Sequence, residues 1–93
     1  MKVTNMTSSK GNKIANQFII ETEEGEYFQS YRSIIAFRPY GGKIQLDREY
    51  WNYSVTTGKY RNLFLGENKK ETERKIADGT YILTSLNKRE PTL

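Results

Sequence analysis

The chain has 93 residues, a formal net charge of +4, 35% hydrophobic residues, and neither Cys nor His. That length holds one domain, since a single core organises about 50 to 200 residues. Without a thiol or an imidazole, the sequence excludes disulfides, thiolate nucleophiles, Ser-His-Asp and Cys-His relays, and nearly every zinc, haem or iron–sulfur ligand set.

A mean hydropathy of -0.81 marks a polar chain. One Trp, seven Tyr and four Phe nevertheless supply the large apolar areas that a compact core needs, so a folded domain is expected. No apolar run approaches the roughly 18 residues of a membrane-spanning helix. Met1 to Ser9 also lack a hydrophobic signal segment, which predicts a soluble, cytoplasmic protein with no membrane contact.

Residues 1–15, MKVTNMTSSKGNKIA, mix Ser, Thr, Asn, Gly and Lys with scattered apolar positions, and read as a basic arm or an edge strand. A single domain is predicted over 16–86. It opens with the β-rich run Gln17 to Thr22, a turn at Glu23 to Glu26, and a second run from Tyr27 to Tyr31, which is a hairpin signature. Arg32 and Ser33 interrupt before the apolar strand Ile34 to Phe37. Pro39 to Gly42 then turn the chain into Lys43 to Asp47, where Ile44 and Leu46 share one face and Lys43, Gln45 and Asp47 the other.

After Asp47 the period changes. Tyr50 to Tyr53 form an aromatic connector, Thr56 or Thr57 is placed to cap a helix, and Tyr60, Leu63 and Phe64 fall on one helical face. Gly66 ends that helix, and Asn68 with Glu71 has capping-box spacing for a second helix over Lys69 to Asp78, with Ile76 and Ala77 as its buried residues. Tyr81 to Thr84 form a last strand, and 87–93 a polar tail. The fold class is α+β: a mainly antiparallel sheet, built on a four-stranded meander, followed by two short helices and a final strand.

Carboxylates, lysines and tyrosines are the groups left to move protons. The acid pairs Asp47 with Glu49, Glu21 with Glu23, and Glu71 with Asp78 read as solvated charges, not as convergent hydrolytic or magnesium-binding pairs. Thr57-Gly58-Lys59-Tyr60 superficially matches the end of a phosphate-binding loop, but the glycine five residues earlier and the hydroxyl after the lysine are missing. No catalytic residue, cofactor or metal site is therefore expected.

Several strings resemble a family of short uncharacterised proteins from bacteriophages and other mobile elements. They are Asn16-Gln17-Phe18, Tyr27 to Tyr31, Leu46-Asp47, Tyr50-Trp51, Tyr53-Ser54, Thr56-Thr57, Lys59-Tyr60-Arg61, Phe64-Leu65, Glu71-Thr72 and Ile76 through Leu83. The resemblance spans nearly the whole chain. It implies a small accessory protein working inside a bacterial cell, and brings no activity or catalytic residue with it.

The positive excess lies mid-chain. Between Tyr27 and Phe64 stand six bases, Arg32, Arg38, Lys43, Arg48, Lys59 and Arg61, against two acids, Asp47 and Glu49, interleaved with most of the aromatic residues. Cations neutralise phosphates and ring faces stack on unpaired bases, so this pattern points to nucleic acid. The candidate binding residues are Arg38, Tyr40, Lys43, Arg48, Trp51, Lys59 and Arg61, with Lys59 and Arg61 expected to be exposed on the first helix. No helix-turn-helix, RNP-type signature or zinc module is visible, which argues against sequence-specific reading. The alternative is a protein-interaction module that inhibits or redirects a host or defence enzyme, since Tyr, Trp and Arg are favoured in interface hot spots. Homo-oligomerisation through a sheet edge is a further expectation.

Overall fold

A computed structural model describes residues 1–87. Six strands and two helices follow in the order β1 (Lys2–Thr7), β2 (Lys13–Glu21), β3 (Gly25–Ser30), β4 (Ser33–Pro39), β5 (Gln45–Asp47), α1 (Val55–Leu65), α2 (Lys69–Ala77) and β6 (Ile82–Thr84). The strands form one sheet in sequence order, antiparallel throughout except for the parallel β5–β6 pair. The α+β class, the mainly antiparallel sheet, the two short helices and the closing strand are therefore as predicted. The meander is one strand longer than the sequence suggested, because the N-terminal arm pairs with β2 as the edge strand β1.

Local chemistry explains the turns. Ser8 Oγ accepts the N–H groups of Lys10 and Asn12 and folds the β1–β2 connection. At the β2–β3 turn Gly25 has φ 154°, and a Cβ there would stand 2.3 Å from the Arg38 carbonyl oxygen, so glycine lets β4 approach. A bulge between Phe28 and Gln29 leaves Ile35 as the extra residue of β4, fully buried.

Cross-strand register gives the two faces opposite characters. One row, Thr4–Ile19–Phe28–Ala36–Leu46–Leu83, crosses all six strands beneath α1. Phe28, Ala36 and Leu46 join Ile35, Phe64 and Tyr81 in the core, and Phe28 stacks on Phe64 at 5.8 Å. The opposite row, Val3–Ile20–Tyr27–Phe37–Gln45–Ile82, contains no charge, and neither does Asn5–Phe18–Gln29–Ile34 beside it. Tyr27 and Phe37 stack on one another there, with centroids 4.2 Å apart.

The helices differ in detail from their sequence reading. Ser54, not Thr56 or Thr57, caps α1 by accepting the Thr57 N–H at 3.1 Å. The Thr57 hydroxyl is instead buried against Ser30 Oγ at 2.9 Å. Starting at Val55 puts Thr57, Arg61 and Phe64 on the buried face at i, i+4 and i+7, and leaves Leu63 60% exposed. Asn68 caps α2 as predicted, accepting the Glu71 N–H. Ile76 is half-buried, but Ala77 is exposed and Thr72 takes the buried position, its hydroxyl bonded to Glu67 at 2.7 Å.

Asn87, assigned to the tail by its polarity, is fastened to β4. Its side chain accepts the Ile34 N–H at 2.7 Å and donates to the Ile34 carbonyl at 2.8 Å. The rest of the expected tail, 88–93, lies outside the described residues. Among those described, no helix is long and apolar enough to cross a membrane.

Candidate nucleic-acid interface

The connector from β5 to α1 is built around Asp47. This carboxylate is buried and accepts three backbone N–H groups, from Glu49 at 3.0 Å, Tyr50 at 2.9 Å and Leu86 at 2.8 Å. Asp47 is thereby a turn clasp, which fixes the path of Trp51 and Asn52 into the Ser54 cap.

That path supplies acceptors for a buried cation. Arg61 is 1% exposed, contrary to its expected exposure. Its Nη1 donates to the Trp51 carbonyl at 2.8 Å and to Asn52 Oδ1 at 3.4 Å, and Nη2 donates to Asn62 Oδ1 at 2.9 Å. The guanidinium carbon lies 5.2 Å from the Trp51 ring centroid. Burial pushes the Arg61 pKa down, against the attraction of Glu67 and Glu73, yet a guanidinium keeps its proton at any physiological pH. Among the described residues no carboxylate pairs with it at ion-pair distance, and its buried Nε has no hydrogen-bond partner. Of these two acids, Glu67 is already committed to Lys75, Thr72 and Tyr81.

Arg61 lines a hollow of about 620 Å³ with Lys59, Lys69, Gly58, Asn52, Asn62, Ser54 and Val55. Three of these residues are cationic and none is acidic. Lys59 and Lys69 are exposed, and neither forms an ion pair among the described residues. Gly58 packs beside the guanidinium, and a Cβ at that position would stand 3.6 Å from Arg61 Nη1, an ordinary contact. Lys69 was absent from the sequence-derived set because its approach depends on the Gly66–Asn68 turn between the helices.

The remaining candidates do not join this hollow. Arg38 pairs with Glu26 at 3.1 Å, donates to the Phe64 carbonyl at 2.9 Å and lies 4.2 Å over the Phe64 ring, clasping the sheet to the C-terminal end of α1. Lys43 donates to the Gly79 carbonyl at 2.8 Å, and Arg48 reaches the Leu83 carbonyl at 3.4 Å. Tyr40 is 68% exposed on the β4–β5 turn. The mid-chain cations thus divide: Lys59 and Arg61 share one hollow beside Trp51, while Arg38, Lys43 and Arg48 hold other parts of the fold.

The fold and this hollow define a small sheet domain with two helices and a cationic recess where α1 meets the connector from β5. The chain belongs to the family of unknown function DUF8033, whose sequence model matches residues 1–79, from β1 through the end of α2. No curated protein and no solved structure matches it.

Proposed function

We propose that the chain is a non-enzymatic accessory protein of the phage type that associates with nucleic acid in the bacterial cytoplasm, without sequence-specific reading, through the Lys59–Arg61–Lys69 hollow. The observation that carries this reading is the buried guanidinium of Arg61, which among the described residues has no carboxylate partner and lines a recess with two exposed lysines and no acid. A buried cation left without a counter-charge among the described residues makes the recess electropositive, and the exposed Lys59 and Lys69 ammonium groups are the donors within reach of phosphate oxygens. The test is equilibrium binding to single-stranded and duplex DNA and RNA across a salt series. Affinity should fall linearly on logarithmic axes as counterions are displaced. A signal indifferent to salt, or no binding at low salt, overturns the proposal.

A second reading, a protein-interaction module directed at a host or defence enzyme, draws on the face of the sheet opposite α1. Two adjacent rows there carry no charge and include Phe18, Ile20, Tyr27 and Phe37. Depletion of charge and enrichment of aromatic residues are the marks of an interface core. A protein that stays bound through nuclease treatment, and is released by Tyr27→Lys, favours this reading over the first.

A further inference from the structure

We propose that a second hollow, adjoining the cationic one, receives an unpaired base, so that the ligand of this surface is a single strand. The inference rests on the nucleic-acid reading above and deepens it. The second hollow measures about 660 Å³, and Tyr31, Arg32, Tyr53 and Thr56 are among its lining residues. Ser54, the cap of α1, lines both recesses, so the two share a wall. No acidic residue lines either.

The two tyrosines stand apart from the rings of the core. Tyr31 is 46% exposed and Tyr53 64% exposed, and neither belongs to the core cluster or packs against it. Both are nevertheless held. The Tyr53 ring meets Tyr50 edge-on at 5.5 Å, and its N–H donates to the Tyr50 carbonyl at 3.2 Å. Tyr31 has φ 57°, a left-handed conformation that disfavours a non-glycine residue. Its N–H donates to the Asn16 carbonyl at 2.7 Å, and its own carbonyl accepts from Gln29 Nε2 at 2.8 Å. This two-sided anchorage keeps the residue in that conformation at the β3–β4 turn, with its ring half in solvent.

Exposed, anchored aromatic side chains next to unpaired cations are the two components of single-strand recognition: rings stack on bases while cations follow the backbone. A double helix satisfies the cations but keeps its base faces inside the stack, where Tyr31 and Tyr53 cannot reach them. The chemistry of the pair of hollows is therefore that of a base in one and a phosphate in the other. Arg32 adds a further cation to the base-binding side.

Three probes separate this inference from the reading on which it rests: a short oligothymidylate, an abasic oligomer with the same number of phosphates, and a duplex of the same length. The full chain should bind the oligothymidylate at least about tenfold more tightly than the abasic oligomer or the duplex. Tyr31→Asn with Tyr53→Gln should abolish that preference while leaving the salt dependence unchanged, and asparagine tolerates the left-handed backbone at position 31. Tyr31→Phe with Tyr53→Phe keeps the rings and should keep the preference. Salt-dependent binding of the abasic oligomer as tight as that of the oligothymidylate overturns the base site alone. Loss of the preference in the phenylalanine pair also overturns stacking as its cause. Absence of salt-dependent binding to all three probes overturns both proposals.

Discussion

Arg61 donates a 2.8 Å hydrogen bond to the carbonyl oxygen of Trp51, ten residues earlier, while its guanidinium carbon sits 5.2 Å from the same residue's ring. One side chain thus fastens α1 to the connector and presents charge to the recess. Structure and binding are coupled at this point, which shapes how substitutions there must be read.

Arg61→Met removes the donor to Trp51 and Asn62, so a half-buried carbonyl and a side-chain oxygen lose their partner. Each such group costs about 1–3 kcal/mol, and urea unfolding should show a loss of at least about 2 kcal/mol. Arg61→Lys restores charge without the planar fork and should recover only part of that loss. Equal stability of the wild type and the methionine variant would remove Arg61 as the tie between α1 and the connector.

Lys59→Gln with Lys69→Gln changes two exposed side chains that carry no ion pair among the described residues, so the unfolding free energy should stay within about 0.5 kcal/mol of wild type. For single-stranded ligands, each phosphate contact contributes about 0.7 to the logarithmic salt slope, so the pair should flatten it by roughly 1.4. An unchanged slope would place the phosphate contacts elsewhere.

Glu67 provides a pH signature for the joint between α2 and β6. Burial of its carboxylate raises the pKa, but hydrogen bonds from Lys75 at 2.7 Å, Thr72 at 2.7 Å and Tyr81 at 2.8 Å outweigh burial, and the net shift is downward from 4.5. A depressed folded-state pKa stabilises above the unfolded value and loses that contribution as pH falls through the folded one. Stability should therefore decline below about pH 4.5, and Glu67→Gln should lower stability at neutral pH while flattening the acid limb. Parallel acid limbs in the two proteins would show that Glu67 is not the titrating group.

Gln17 is fully buried on the α1 side of the sheet, and among the described residues neither of its amide atoms has a hydrogen-bond partner. Methionine has similar length and no amide to desolvate. Gln17→Met should leave the fold intact and raise stability by about 1 kcal/mol in chemical denaturation. A loss of that size would mean that the amide is satisfied in solution and contributes to the fold.

The parts of the fold that were legible in the sequence rest on local rules. Glu23 to Glu26 and Pro39 to Gly42 announce turns between β-rich runs, and Asn68 with Glu71 announces the start of α2. β1 was ambiguous because its stability comes from pairing with β2, which its polar composition does not encode. Ser54, Thr56 and Thr57 all carry a capping hydroxyl, and what separates them is Ser30, distant in sequence, which engages Thr57. At the candidate site, the sequence showed Lys59 and Arg61 on one helix, but a spacing of two turns such side chains away from one another, so their meeting at one hollow was not legible. Nor was the burial of Arg61, since long cations are ordinarily assigned to solvent. Three oxygens from Trp51, Asn52 and Asn62 offset the cost of burying it, and their convergence depends on the Asp47 clasp.

The hydrogen bond from Leu86 N–H to Asp47 crosses 39 positions of the chain. The antiparallel ladders close over short turns, whereas the parallel β5–β6 ladder waits for both helices. Since short loops close fastest, the meander should assemble first, with the last strand arriving as a latch. Asp47 would then gain its third partner last, so that the bend leading Trp51 to Arg61 is expected to be completed late in folding.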